Sequence, residues 1–428
     1  MNHRESSDRF RRKAIQVDEA QQKINEWIRN GVMEDIRLED SFGRRLAKNI
    51  TATHNMPHFR RSGMDGFAIQ AESTAGVSSD RPVVLEVIEN IPCGSTPARV
   101  ITRACASRIM TGAMVPEGAD TVVMLEMTES FEQDGKKYVS IQKELKPNLN
   151  VTPIGLELME GDDVLESGRR LGAGEVALLA TFGHGIVPVY KRPQVAIFAT
   201  GSELLSIDEP LQPGKIRNSN TYMLAAQVWD AGGTPILMGS IPDEIDLAKD
   251  KISEAYSIAD FVITTGGVSV GDYDIMADLF KNWQGTMLFN KVTMRPGSPT
   301  TVGVWKDKLL FALSGNPGAC FVGFELFVRP VIDGMQGGKD CFPKETTAFI
   351  SEDFTKVNAY PRFVRGISYT VEGKVYVRQA GLDQSSSTIS IRDSDCLIVI
   401  PPGGRGLLAG KLVKIIKLRE SQRGYVVG

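Results

Sequence analysis

Apolar residues recur every third or fourth position from Val17 to Ile28, at Val17, Ala20, Ile24, Trp27 and Ile28, with Asp18 and Glu19 near the start. That spacing predicts an amphipathic helix whose apolar stripe needs a partner, with its acids where a helix N-terminus favours them. Between about Arg81 and Ile141 the pattern shortens to β-type runs, VVLEVIE, RVITRA, TVVMLE and YVSIQ, separated by Gly, Pro and Asp, and predicts a small β domain. Gly161 to Tyr190 is glycine-rich around one helical stretch, EVALLA, and is expected to rejoin the N-terminal helix in a domain split by the β insertion. From Arg192 to about Met335 apolar strands alternate with amphipathic helices: VAIFAT, PILMGSI, FVITT and LLFAL each lead through a turn towards a helix. Such alternation implies parallel strands with right-handed crossovers, hence a doubly wound α/β domain. From about Phe342 the chain returns to short strands, TAFIS, KVYVR, CLIVI and KLVKIIKL, which suit a small β barrel or sandwich.

Length supports this division, because 428 residues exceed what one hydrophobic core can organise. A formal net charge of −3 with dispersed basic residues leaves no electrostatic footprint for nucleic acid, so any anion must be bound locally. The N-terminus lacks the apolar core of a signal peptide, and no apolar run reaches the roughly 18 residues of a membrane span. A cytoplasmic protein with no membrane partner is expected. Five scattered cysteines without a Cys-x-x-Cys pair argue for reduced structural thiols rather than a zinc site or disulfide framework. His54 and His58 have i, i+4 spacing, but Pro57 between them works against the helix that a histidine metal site would need.

In an open parallel sheet, ligands bind beyond the carboxyl ends of the strands. The loops expected there carry Gly201, Ser202 and Glu203; then Pro242 and Asp243; then Gly266 to Asp274; then Ser314 to Pro317. In TTGGVSVGDYD, Gly266 and Gly267 stand at a strand end, where the missing Cβ lets backbone N–H groups approach a phosphate. SGNPG, Ser314 to Gly318, repeats the arrangement before a helix. Either loop alone reads more readily as a glycine-bearing turn; two on one sheet edge suggest paired anion cradles. Glu203, Asp243, Asp272 and Asp274 would surround them, and carboxylates clustered beside phosphate loops suggest Mg²⁺ bridging phosphate oxygens. Each acid alone is also consistent with a helix N-cap or a solvated loop charge. In the β half, FRRSGMDGFAI holds Asp65 between glycines, and TGAMVPEGAD offers the Thr111 hydroxyl; each, read by itself, is a hairpin turn.

Taken in order, SGMDGFA, RIMTGA with VPEGADTVVM, ATGSEL, TTGGVSVGDYD, MRPGSP and SGNPG resemble the serial motifs of the molybdopterin molybdenumtransferases. These are the bacterial MoeA type, related to the gephyrin E domain, and the likeness runs over nearly the whole chain. It implies a multidomain α/β plus β protein: an extended N-terminal domain (15–50 and 150–190), an inserted β domain (51–149), a doubly wound molybdopterin-binding α/β domain (191–340) and a C-terminal β barrel (341–428). It further implies a homodimer with a shared active site, an upstream molybdopterin adenylyltransferase, and insertion of molybdate into adenylylated molybdopterin with release of AMP.

Carried over by position, Asp65, Thr111, Glu203, Asp243 and Asp274 are active-site residues, the last three being candidate Mg²⁺ ligands. Gly266, Gly267, Ser269, Ser314, Gly315, Asn316 and Pro317 bind the pyrophosphate and AMP portion, and Lys291 and Arg295 fall where the family has two lysines for molybdate. Arginine keeps the charge and adds a planar fork suited to oxyanions. Departures are specific. The family's Lys-Pro-Gly-Lys-Pro is here Arg295-Pro296-Gly297-Ser298-Pro299, one cation fewer, and Leu-Pro-Gly-Asn-Pro is Leu313-Ser314-Gly315-Asn316-Pro317. After Asn150 an expected arginine is replaced by Thr152 or Pro153, and an Asp becomes Glu157. Two other readings share features with this one: the adenylyltransferase, which has the same α/β domain, and a non-enzymatic gephyrin-like scaffold. The long N-terminal and β segments weigh against the first, and the lack of a long linker against the second.

Overall fold

Phe198, Phe261 and Phe311 stand in three neighbouring strands and are fully buried, Phe261 and Phe311 on one face of the sheet and Phe198 on the other, each worth about 1.5–3 kcal/mol of apolar transfer. They belong to a six-stranded sheet in the order Thr234–Ser240, Gln194–Ala199, Phe261–Thr265, Lys308–Leu313, Thr301–Trp305, Thr286–Phe289. The first four strands run parallel, and Thr301–Trp305 runs antiparallel to both of its neighbours, Lys308–Leu313 and Thr286–Phe289. The computed structural model describes residues 13–242, 244–267, 276, 279–280, 285–357, 359–403 and 406–418.

Period-two alternation decides which face each side chain covers. Val195, Ile197 and Ile263 enter one core with Leu224 and Val228 of helix Asn220–Ala231, while Ala196, Phe198 and Val262 enter another with Ala248 and Ile252 of helix Ile245–Ile258. Both faces are therefore covered by helices, as a doubly wound sheet requires. The two strands joined by antiparallel pairing are an addition that strand–helix alternation did not announce.

The expected N-terminal helix spans Val17–Asn25. Its Ala20 and Ile24 are buried in the α/β core, and the Gln21 side-chain amide donates to the Leu326 carbonyl (3.1 Å), so the stripe's partner is this core rather than the Gly161–Tyr190 segment. That segment contributes Ile186–Tyr190, which pairs antiparallel with Met33–Arg37. The C-terminal strands close into a five-stranded barrel, Glu345–Ile350, Lys374–Gln379, Arg362–Val371, Cys396–Ile400 and Leu412–Lys417, which decides between barrel and sandwich.

The chain divides into two units. The elements above lie in the first, comprising 1–48, 167–172 and 186–428; the second comprises 49–166 and 173–185. The second unit holds a six-stranded sheet in the order Thr121–Met124, Gly66–Ile69, Cys105–Ile109, Val83–Ile91, Lys136–Ile141, Thr128–Gln133, with helix Ala173–Thr181. Two sequence expectations fail here. RVITRA is not a strand: the strand begins at Cys105, after the turn at Arg103 and Ala104. The two motif segments are not hairpins either. Arg61–Ser62 pairs with Val151–Thr152 while Gly66–Ile69 joins the large sheet, and that same strand separates Cys105–Ile109 from Thr121–Met124. Long-range pairing, which local turn chemistry does not encode, overrode the turn signals.

Candidate active site

In the second unit, Gly66 lies so close to the neighbouring strand that a side chain there would strike the Val123 carbonyl. Only glycine permits this approach, and it sets Asp65 directly before the start of the interior strand Gly66–Ile69. Asp65 accepts from the Thr111 backbone N–H (2.6 Å) and the Thr111 hydroxyl (2.8 Å) through the same carboxylate oxygen. Both residues are exposed. The Thr111 backbone bond, then its hydroxyl, with a smaller contribution from the Arg108 charge, hold the Asp65 carboxyl below the usual carboxylate range. Asp65 is therefore an ionised carboxylate at neutral pH with one oxygen engaged. Cys93 is exposed, and its thiol donates to the Thr111 carbonyl (2.8 Å). Glu157 pairs with Arg61 at 3.4 Å, both well exposed, and Thr152 lies opposite Arg61 in the short ladder.

In the first unit, the strand order places the second strand on one side of Gln194–Ala199 and the third on the other. The loops after the first and third strands thus diverge around a topological switch point, where a crevice forms. Thr200 N–H donates to the Thr265 carbonyl (2.9 Å), and Gly266 and Gly267 both abut Thr200, with positive φ at 96° and 60°. The SGNPG loop closes on the same point: a Cβ on Gly315 would stand 3.3 Å from the Gly266 Cα, and Gly266 N–H donates to the Leu313 carbonyl (3.0 Å). The two glycine loops therefore touch. Within SGNPG, Ser314 Oγ accepts from Asn316 N–H (3.3 Å), and Pro317 starts the helix Pro317–Gly323, where its missing N–H costs nothing.

Glu203 is exposed, and its carboxylate folds back over Gly201 at the end of the first strand. It makes no ion pair or side-chain hydrogen bond among the described residues. Asp243, Ser269, Asp272 and Asp274, the other acids and the serine expected here, lie outside the described residues, as does all of TTGGVSVGDYD beyond Gly267. No cluster of three His, Cys, Asp or Glu residues occurs among the described residues.

The Lys291–Pro299 loop is held by its backbone. Ile15 N–H donates to the Lys291 carbonyl (3.1 Å), Thr293 N–H to Ile15 (2.8 Å), Arg295 N–H to Pro361 (2.9 Å) and Phe363 N–H to Arg295 (2.7 Å). Ser298, the position of the missing cation, donates its hydroxyl to the Val292 carbonyl (2.7 Å). A Cβ on Gly297 would stand 3.3 Å from the Ala319 carbonyl, so this loop reaches the helix that follows SGNPG. Lys291 is half-buried and Arg295 exposed, and neither side chain has a hydrogen-bond or ion-pair partner among the described residues.

Two residues here escaped the sequence reading. Arg365, on barrel strand Arg362–Val371, is fully buried against Gly318; it donates to Ser390 Oγ (2.8 Å) and the Gln384 carbonyl (2.7 Å), while its Nη1 has no hydrogen-bond partner among the described residues. An arginine following the apolar pair Phe363-Val364 was its only signal. Asn220, also buried, donates from Nδ2 to Thr265 Oγ1 (2.8 Å) and to the Gly315 carbonyl (2.8 Å). Its position beside a helix start reads locally as capping, which hides the long-range bonds. Among the cysteines, all of them free, Cys320 sits beside Thr265 with its thiol pushed up to about 12 by burial, a structural rather than reactive thiol.

Paired glycine loops at the switch point of a doubly wound sheet are the arrangement with which α/β proteins commonly bind phosphates and nucleotides. Comparison with known proteins narrows this class. Residues 15–183 match the MoeA N-terminal region (domain I and II), 196–334 the probable molybdopterin binding domain, and 347–418 the MoeA C-terminal region (domain IV). The molybdopterin molybdenumtransferase of Bacillus subtilis is 45% identical over 410 residues, covering 96% of this chain and 95% of the relative, and that of Staphylococcus aureus is 41% identical, covering 96% and 97%. The crystal structure of the molybdopterin biosynthesis moeA protein from Pyrococcus horikoshii OT3 superposes with a TM-score of 0.80 at 30% identity, covering 95% of this chain and all of that one. The chain belongs to the molybdopterin molybdenumtransferases, transferases of molybdenum cofactor biosynthesis.

Proposed function

We propose that this chain inserts molybdate into adenylylated molybdopterin, releasing AMP and molybdenum cofactor, as a cytoplasmic homodimer supplied by a molybdopterin adenylyltransferase. The observation that carries the reading is the meeting of the Gly266 and Gly315 loops at the switch point, with the cationic Lys291–Arg295 loop reaching the same helix. In this reading Gly266, Gly267, Ser269 and Ser314 to Pro317 hold the pyrophosphate and AMP portion. Lys291 and Arg295 hold molybdate, and both keep free side chains for it among the described residues. A dianion between two cations in a partly desolvated crevice gains charge-assisted hydrogen bonds, with arginine contributing two parallel donors.

Asp65 suits a role in orienting a water or substrate hydroxyl, because Thr111 occupies one carboxylate oxygen and leaves the other open. With Asp65 from one chain and the α/β loops from its partner, each active site would draw on two chains. Mg²⁺ fits the one candidate ligand that is described: Glu203 offers a hard, exposed carboxylate that makes no ion pair among the described residues. Glu203, Asp243 and Asp274 would hold the ion, which when bound supplies charge neutralisation at the phosphoanhydride.

Purified protein given adenylylated molybdopterin is expected to release AMP in a molybdate-dependent manner and to form cofactor that activates a molybdenum-dependent apoenzyme. Consumption of ATP with free molybdopterin, without molybdate-dependent AMP release, would instead identify the adenylyltransferase.

A further inference from the structure

The two glycine loops leave different strands, and glycine-rich backbone has little stiffness of its own. Something must fix their separation if both are to meet one pyrophosphate. Asn220 is placed to do so: it sits on the helix Asn220–Ala231, packed on the sheet through Leu224 and Val228, and is 8% exposed. Its Nδ2 reaches Thr265 Oγ1 (2.8 Å), next to Gly266, and the Gly315 carbonyl (2.8 Å). The Gly315 carbonyl can only accept, so the amide orientation is determined by its partner rather than by convention. The Thr265 hydroxyl, accepting from Asn220, donates its own hydrogen bond to the Ser314 carbonyl (3.2 Å). One side chain thus ties the end of the third strand to the first two residues of SGNPG.

We propose that Asn220, acting through Thr265, is a positioning residue that sets the spacing of the two anion loops and thereby the affinity for the nucleotide-bearing substrate. The inference rests on the nucleotide reading of those loops. The bonds to Thr265 and Gly315 use both Nδ2 hydrogens, so the link cannot be kept by a residue lacking two donors at that place. A shift of the loops by about 1 Å is enough to cost up to about 100-fold in a site that depends on orientation.

The test uses the full chain. Asn220→Asp keeps the shape, removes both donors and sets an anionic acceptor against the Gly315 carbonyl; Thr265→Val removes the hydroxyl at constant volume, and Thr265→Ser retains it. AMP affinity by calorimetry, KM and kcat for adenylylated molybdopterin at saturating molybdate, and melting temperature are measured for each. Asn220→Asp and Thr265→Val are expected to weaken AMP binding and raise KM by about tenfold or more, with a smaller change in kcat, and Thr265→Ser to recover the affinity lost in Thr265→Val. A lowered melting temperature with unchanged AMP affinity and KM would overturn the proposal, leaving Asn220 a structural residue. Should Asn220→Asp not fold, the Thr265→Val and Thr265→Ser pair decides, since equal affinities in those two exclude the relay. A wild-type protein that neither binds AMP nor turns over substrate would sink the nucleotide reading itself, and this proposal with it.

Discussion

Thr111 holds Asp65 with two hydrogen bonds, and both favour the ionised carboxylate. Thr111→Val removes the hydroxyl bond and keeps the backbone one, so the Asp65 pKa is expected to rise part of the way towards its usual range. The sign follows: a carboxylate whose pKa is depressed stays ionised to lower pH, and raising that pKa moves the loss of activity on the acid side to higher pH. The pH dependence of kcat/KM for wild type and variant measures it, and coincident acid limbs would mean that Asp65 ionisation does not govern turnover. Because Asp65 is fully exposed, no comparable change in stability is expected. At this scale the sequence was informative about residue type. A carboxylate between glycines and a hydroxyl after an apolar strand were both visible, but their pairing was not, since 46 positions separate them.

On one face of the α/β sheet, the long helical segment after SGNPG shows what an element needs to stay in register. It runs as Pro317–Gly323, a π-helical turn Phe324–Val328, and Arg329–Met335. The buried Glu325 receives two bonds from Arg329 (2.6 and 3.0 Å) and one from the Gln227 amide (2.8 Å), and Arg329 also meets Asp230 (2.9 Å). Burial alone would lower the Arg329 pKa, but Glu325 and Asp230 more than offset it and the net shift is upward. Arg329→Met leaves Glu325 buried without its cation and is expected to cost about 3–5 kcal/mol, whereas Arg329→Met with Glu325→Leu should recover most of that loss. Urea unfolding of both variants checks it; a double variant as unstable as the single one would show that the pair, not the orphaned charge, matters. Element by element, apolar runs such as FVITT and CLIVI became strands with the expected limits, because each is short, rich in β-branched residues and bounded by turn residues, Asp260 and Gly266 for the first and Asp395 and Pro401 for the second. TVGVW, interrupted by glycine, and GFAI, masked by the glycines before it, carried no such signal and took strand conformation from their neighbours.

For the whole molecule, the proposed two-chain site has a quantitative consequence. Asp65→Ala and Asp274→Ala homodimers should each be inactive. Unfolded together and refolded at equal amounts, about half the dimers would be mixed, each with one doubly altered and one intact site, giving roughly a quarter of wild-type activity. If one chain supplied both residues, every site would keep a lesion. A mixture as inactive as its parents, with mixed dimers verified by mass spectrometry, would exclude the shared site.

What the sequence determined by itself is what depends on short-range order: the alternation that makes the α/β sheet, the glycine loops at strand ends, and the ordered motifs that place the chain in its family. Hydrophobic periodicity and turn chemistry act within a few residues, so they survive in one dimension. Only the tertiary structure decided that Gly66 lies against the Val123 carbonyl, that the Val17–Asn25 helix finds its partner in the α/β core, and that Asn220 joins two loops 45 and 95 residues away. Those contacts are selected by packing and by the need to satisfy buried polar groups, and both depend on which distant surfaces are brought together rather than on any local preference.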